Sequence, residues 1–298
     1  MAQSRVVVIH GRGVHISNGQ IDETKIIHMF QRGFQHLKNG ISPSDCIRSL
    51  FHSDEHIGLK VNTLGGPKIS TNPTISLLLA HWLTKGGLKP GNLLIWDRSN
   101  AELRQAGYRL TDNPGDIQIF GTDKPGAGYE NALTVNQSIG SRFSRIQSRS
   151  ISASISLAIL KDHGLAGITA GMKNYFGAIH NPNKYHDFNC NPFIADLFET
   201  PPILQKHKLT ILDGLNIQFH RGPSFHAKWN QKEEIFIFST DPVAADATGW
   251  RLIEKLRASA GLPTLKEEKR EPAYLFTAER KGLGRANLKY IEVIEDEI

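Results

Sequence analysis

Lys161 and His163 stand two residues apart at the end of an apolar run, and Lys173 follows a short way on. A partly desolvated lysine either holds an anion or has its pKa lowered far enough to act as base or nucleophile. Histidine transfers protons near neutral pH, and His163 shares a side with Lys161 if the strand continues through it. Lys60 falls near the end of another strand-like run, Gly58 to Asn62, and supplies a third amine of the same kind. Thr169 and Lys173, four residues apart, share one face if that segment is helical. The bland alternative is a set of solvated lysines. Their place at element ends, beside Gly164, Gly167, Gly171 and Gly177, favours a site. Gly171 within a helix would cost about 1 kcal/mol relative to alanine, which asks for a packing or ligand reason.

A second set, His180, His186 and Cys190, has the spacing H-x-x-x-x-x-H-x-x-x-C, with Asp187 and Asp196 near by. Imidazole and thiolate suit zinc or iron rather than magnesium. No pair shows a tight ligand spacing, so loop polars are the competing reading, with His180-Asn181-Pro182-Asn183 as a turn. Asp213 and Asp241 make either a carboxylate pair for acid–base work or metal holding, or, taken singly, a turn residue and a helix N-cap. Asp246 faces either solvent or the cleft.

The elements that must position these residues follow a strand–helix rhythm. Val6 to His10 reads as a buried strand, Ile21 to Leu37 as a helix stopping at Asn39-Gly40, and Ser42-Pro43 as the start of a second. Gly58 to Asn62 is a strand, and Ser70-Thr71-Asn72-Pro73 opens a helix. Asn92 to Asp97 is a strand, and Ser99 to Glu102 has capping-box spacing for a helix closed by Gly107. Asn113 to Tyr129 is mostly loop with a short strand at Ile117 to Phe120, and Ser141 to Arg149 reads as a solvated loop or edge. Ser150 to Leu160 becomes a strand that delivers Lys161 and His163. Lys208 to Asp213 and Ile235 to Ser239 are further strands. Thr240-Asp241-Pro242 caps a long helix to about Ala260, and Tyr290 to Ile294 is the last strand. This pattern predicts an α/β fold: a mostly parallel open sheet with helices on both faces, in one large domain over residues 1–298. Ligands of such sheets sit at the carboxyl ends of strands, where Asn62, Asp97, Lys161 and His163 all fall. One shared cleft is therefore expected.

The 298 residues are 39% hydrophobic, enough for a large core. A formal net charge of +6 is mildly basic and compatible with acidic small molecules, nucleic acid or anionic membranes. Basic residues interleaved with acids, without a long Lys/Arg run, argue against a dedicated nucleic-acid surface. Two cysteines, Cys46 and Cys190, exclude a disulfide scaffold, and no apolar stretch reaches membrane-span length. The compartment is left open: cytoplasm, or periplasm if a leader has been removed.

Several stretches occur in an order that resembles domain-of-unknown-function family 362. They are Gly58-Leu59-Lys60-Val61-Asn62, Ser70-Thr71-Asn72-Pro73, Leu160-Lys161-Asp162-His163, Gly167-Ile168-Thr169 and Lys173-Asn174-Tyr175-Phe176-Gly177. Asp213-Gly214, Gly222-Pro223 and Ser239 through Asp246 continue the likeness, which runs over nearly the whole chain from Val6. The resemblance implies an α/β fold and gives weight to Lys60, Asn62, Lys161, His163, Lys173 and Asn174 as site residues. Many members carry a ferredoxin-like iron–sulfur module, and some look like exported proteins. With two cysteines this chain departs from the former and cannot itself ligate a four-cysteine cluster. A distant likeness of the family's N-terminal half to the nickel-dependent lactate racemase fold is analogy only. Ser150 to Ala158 is more polar than a strand of this family would be expected to be.

The expectation is an enzyme, a metal-assisted oxidoreductase, lyase or isomerase, acting on a small carboxylate or phosphate substrate. Lys161, His163 and Lys173 would do the chemistry. Lys60, Asn62, Thr71, Thr169, Asn174, Asp213 and Asp241 would bind, and His180, His186 and Cys190 would hold zinc or iron. A separate redox partner and the oligomeric state are left open. The alternative is a non-catalytic carrier of a metal or anionic cofactor using the same residues.

Overall fold

The structure, a computed structural model, describes residues 3–16, 20–38 and 41–298. The expected helix stop at Asn39-Gly40 lies outside them. In chain order come β1 (Ser4–His10), α1 (Glu23–Leu37), α2 (Pro43–Leu50), β2 (Ile57–Lys60), α3 (Pro73–Thr84), β3 (Leu93–Trp96) and α4 (Asn100–Gln105). Next are β4 (Gln118–Ile119), β5 (Thr134–Asn136), β6 (Ile139–Ser141), β7 (Ala153–His163) and β8 (Gly167–Thr169). The rest are α5 (Phe193–Phe198), α6 (Pro201–Leu204), β9 (His207–Gln218), β10 (Asn230–Ser239), α7 (Pro242–Ser259), α8 (Tyr274–Arg280) and β11 (Ile291–Glu297).

Local signals explain where the helices start. Ser42 accepts from the Asp45 amide, Asn72 from Thr74 and Asp241 from Ala244, and proline follows each cap. Proline fits there because first-turn amides have no partner inside the helix. The capping box at α4 is only half made. Ser99 accepts from the Ala101 amide, but Glu102 turns to Arg98 (2.5 Å) instead of back to Ser99. The strand expected to end at Asp213 continues as β9 to Gln218.

The main sheet has the order β11-β1-β10-β9-β7-β2-β3-β4, with β8 beside β7, while β5 and β6 pair separately. β9, β7, β2, β3 and β4 pair in parallel, as do β1 and β11. β10 runs antiparallel to both neighbours, and β8 to β7. The sheet is thus mostly parallel, as the strand–helix rhythm predicts. Alternating strand side chains divide the core into two layers. Val7, Ile9, Leu59 and Ile155 pack with Phe30, Phe34, Leu79 and Leu103 of α1, α3 and α4. Val8, Trp96, Leu160 and Ile237 pack on the other face with Phe198, Val243 and Leu275 of α5, α7 and α8. Helices therefore cover both faces. No helix among the described residues is long and apolar enough to cross a membrane.

Candidate functional site

β2, β3 and β7 are parallel neighbours, so their carboxyl ends meet, with Lys60 level with Trp96 and Ser156. A cavity of about 260 Å³ opens there, lined by Lys60, Asn62, Asp97, Lys161, His163, Thr169, Lys173, Asn174 and His186 among others. It is smaller than the roughly 300–1,000 Å³ of drug-sized pockets.

The three lysines have different surroundings. Lys60 Nζ donates to Asp97 Oδ1 (2.7 Å), the Val61 carbonyl (2.7 Å) and Asn174 Oδ1 (3.1 Å). An ammonium has three protons, so none is left for a ligand. Lys60 is a structural ion pair and not the anion holder expected from sequence. Asp97 also accepts from the Thr63 amide (2.8 Å), the Thr63 hydroxyl (2.7 Å) and the Arg98 amide (2.7 Å). Burial works to raise its pKa, but Lys60 and these donors prevail and hold it below the usual carboxylate range. Gly177 lies over this pair, where a Cβ would meet Lys60 Nζ at 2.7 Å and Asp97 Oδ1 at 2.8 Å.

Lys161, only 1% exposed, donates to the Leu64 and Ile69 carbonyls, both at 3.0 Å. Burial, and then the charge of Lys173, bring its pKa down to about 7. Lys173 Nζ lies 3.3 Å from His186 Nε2 and over the Phe176 ring, and burial lowers its pKa to about 8. Among the described residues neither amine has a carboxylate partner, because Asp97 is taken by Lys60 and Glu102 by Arg98.

His163 Nδ1 accepts from the Leu165 (3.2 Å) and Ala166 (3.1 Å) amides. The proton therefore sits on Nε2. Burial, reinforced by nearby positive groups, drives the ring's pKa to about 2. His163 is a neutral hydrogen-bond donor and not the proton shuttle expected. Its ring stacks on that of His186, with centroids 5.6 Å apart. Asn62 Oδ1 is buried without a partner among the described residues and belongs to a residue that lines this cavity.

Other expected ligands are structural. Asn174 Nδ2 donates to the Lys60 carbonyl (2.7 Å) and Ser156 Oγ (3.1 Å), so its amide braces β2 against β7. Thr71 Oγ1 donates to the Leu157 carbonyl and accepts from the Asn62 amide. The polar start of β7 has the same explanation: Ser154 bonds the Tyr175 hydroxyl and Ser156 donates to the Gly171 carbonyl, both at 2.8 Å. Thr169 and Lys173 do not share a helix. Thr169 ends β8, Lys173 begins a 3₁₀ segment, and Gly171 sits in the turn between them. A Cβ at Gly171 would meet Thr210 Cγ2 at 2.4 Å. Asp246 faces neither solvent nor cleft: it is buried and accepts from the Gly171 (2.7 Å) and Met172 (3.1 Å) amides and Tyr274 Oη (3.0 Å). Burial pushes its carboxyl up to about 7 against those donors.

Asp213 and Asp241 are not a pair. Asp213 lines a second cavity of about 360 Å³ with His15, Asn72, Asn216 and Asn230. Asp241 caps α7 and also accepts from Ser4 Oγ (2.5 Å) and the Arg285 amide (2.9 Å). Asp241→Ala should cost about 1–2 kcal/mol in urea unfolding, the loss of a helix cap. The expected metal set does not converge either. His180 is exposed with its ring against Tyr129, Cys190 is buried with Sγ 4.0 Å from the His186 carbonyl, and only His186 lines the cavity. The segment's backbone has positive φ at Asn181, Phe188, Asn189 and Cys190 (53, 51, 57 and 60°). Among the described residues no group of three or more His, Cys, Asp or Glu is placed to hold a metal. Cys46 and Cys190 lie in the two separate core layers. Arg145 and Arg149 turn to Ala127, Asn131 and Glu130, away from the lysine cavity. Sequence reasoning missed Arg98 and Glu102, which line that cavity; their i, i+4 spacing was the available signal.

No curated protein matches the chain. A crystal structure of a Thermotoga maritima protein is similar at 12% identity and a TM-score of 0.44, over 81% of this chain and 60% of that one. The chain thus spans less than two thirds of that protein's length. The family model described as Domain of unknown function (DUF362) matches residues 57–251, from β2 into α7, a narrower span than the resemblance from Val6 onward. That span contains every residue placed around the lysine cavity above, and the chain belongs to the DUF362 family.

Proposed function

We propose that this protein is an enzyme acting on a small carboxylate or phosphate substrate in the cavity at the ends of β2, β3 and β7. The observation that carries this reading is a pair of buried amines, Lys161 and Lys173, facing one cavity without a carboxylate partner among the described residues. An uncompensated buried cation is costly, and an anionic ligand offsets that cost. Lys173 holds the anion, and Lys161, with a pKa near neutrality, transfers protons. His163 Nε2–H donates to a substrate oxygen, and Asn62 Oδ1 accepts from a hydroxyl.

The test is calorimetric titration with inorganic phosphate, acetate and pyruvate. Lys173→Ala should weaken the best of these about 10–100-fold, the value of one charge-assisted hydrogen bond. Unchanged affinity in a Lys161→Ala/Lys173→Ala double variant would overturn the reading. Ligands that bind tightly yet return chemically intact from prolonged incubation would mark a carrier rather than an enzyme.

A further inference from the structure

We propose that Lys161 is a nucleophile that forms an imine with the carbonyl carbon of a small 2-oxo acid whose carboxylate is held by Lys173. The proposal rests on the reading of this cavity as a site for a small anion, and it names the substrate class. Counting acceptors around each amine separates the lysines. Lys60 has three, one of them a carboxylate, which suits an ammonium. Lys161 has two, both backbone carbonyls at 3.0 Å, in Leu64 and Ile69. A neutral amine has two protons to donate, so this cradle satisfies it completely. The fourth tetrahedral direction at Nζ is then a lone pair left to the cavity that Lys161 lines.

A neutral amine is a poor ligand for a phosphate and a good one for an electrophile. Among the described residues that line the cavity, Lys173 is then a cation without a carboxylate partner, which calls for a ligand with one carboxylate and one electrophilic carbon. Nζ attacks the carbonyl carbon as the C=O π pair moves to oxygen, and a proton passes from nitrogen to that oxygen. The carbinolamine loses water, leaving C=N, with nothing oxidised or reduced. His163 Nε2–H faces the developing oxygen, and Asn62 Oδ1 accepts from the carbinolamine hydroxyl. Burial and the nearby charge of Lys173 keep the amine unprotonated over more of the neutral range than an exposed lysine.

The experiment treats the full chain with glyoxylate, pyruvate or 2-oxobutyrate, reduces with sodium cyanoborohydride, and maps peptides by mass spectrometry. The expected result is a dominant adduct on Lys161. In Lys173→Met the oxo-acid concentration for half-labelling should rise about tenfold or more, the loss of one ionic contact. Labelling spread over exposed lysines with none favouring Lys161, or located on Lys173, would overturn the proposal. The map of the unaltered protein decides this even if Lys161 variants fail to fold. If Lys161 stays unlabelled while pyruvate still binds in a Lys173-dependent way, the imine is wrong and the anion site stands. If pyruvate binding ignores Lys173, both fall.

Discussion

Raising the pH from 7 to 9 should make the ligand-free protein more stable, the reverse of the usual alkaline loss. Lys161 gives up its proton near pH 7 and Lys173 near pH 8 in the folded chain, against an ordinary 10.5 in the unfolded one. Above pH 7 the unfolded state therefore binds more protons than the folded state, and stability rises with pH. The gain over this window is roughly 2–4 kcal/mol at about 1.4 kcal/mol per pH unit per group. Against a net stability of about 5–15 kcal/mol that is large. The rise should fade past pH 9. There the buried Cys46 thiol, pushed up to about 11 by burial, begins to favour the unfolded chain. Urea midpoints at fixed ionic strength measure the profile, and Lys161→Met/Lys173→Met should flatten it. Saturating phosphate should flatten the Lys173 share of it, because an anion bound at that amine holds its proton. Stability that declines from pH 7 in phosphate-free buffer would show that both amines stay charged.

Asp97→Ala should lose about 3–5 kcal/mol of unfolding free energy, the cost of a buried charge stripped of its partner. It strands Lys60 beneath Gly177 and removes the acceptor of the Thr63 amide and hydroxyl and of the Arg98 amide. Lys60→Met/Asp97→Ala should recover a large part of the loss, since an apolar replacement leaves no charge to desolvate. A double-mutant cycle in urea reads the coupling directly. A single variant that loses less than about 1 kcal/mol, within the range of a surface pair, would mean that water reaches this pair.

What was legible in the sequence was local or topological. The caps at Ser42, Asn72 and Asp241 act within three residues of themselves, so residue type alone places them. The cavity's position follows from parallel strands, whose carboxyl ends must meet. The roles of individual lysines were not legible. Whether Lys60 is paired depends on β3 lying next to β2, which brings Asp97 to it across the sheet. His163 loses its basic nitrogen to two amides of the turn that follows, a matter of backbone direction and not of spacing. Asp213 and Lys161 end in separate cavities although both follow strand-like runs. The His180–Cys190 segment winds through left-handed residues, which no ligand spacing can anticipate.

The serines of β7 bear on how the chain finds its pairing. Ser154 and Ser156 share a face with Ala158 and Leu160, while Ala153, Ile155 and Leu157 point to the opposite layer. A slip of one residue would exchange the two sets. Both hydroxyls would then enter the layer of Phe30 and Leu79, away from Tyr175 and Gly171, at about 1–3 kcal/mol for each unpaired group. An all-aliphatic β7 would tolerate that slip far better, because both of its faces would be interchangeable. The two hydroxyls thus act as a key for the central strand of the sheet: they penalise misaligned pairings, and in doing so they fix how far Lys161 projects beyond its neighbours.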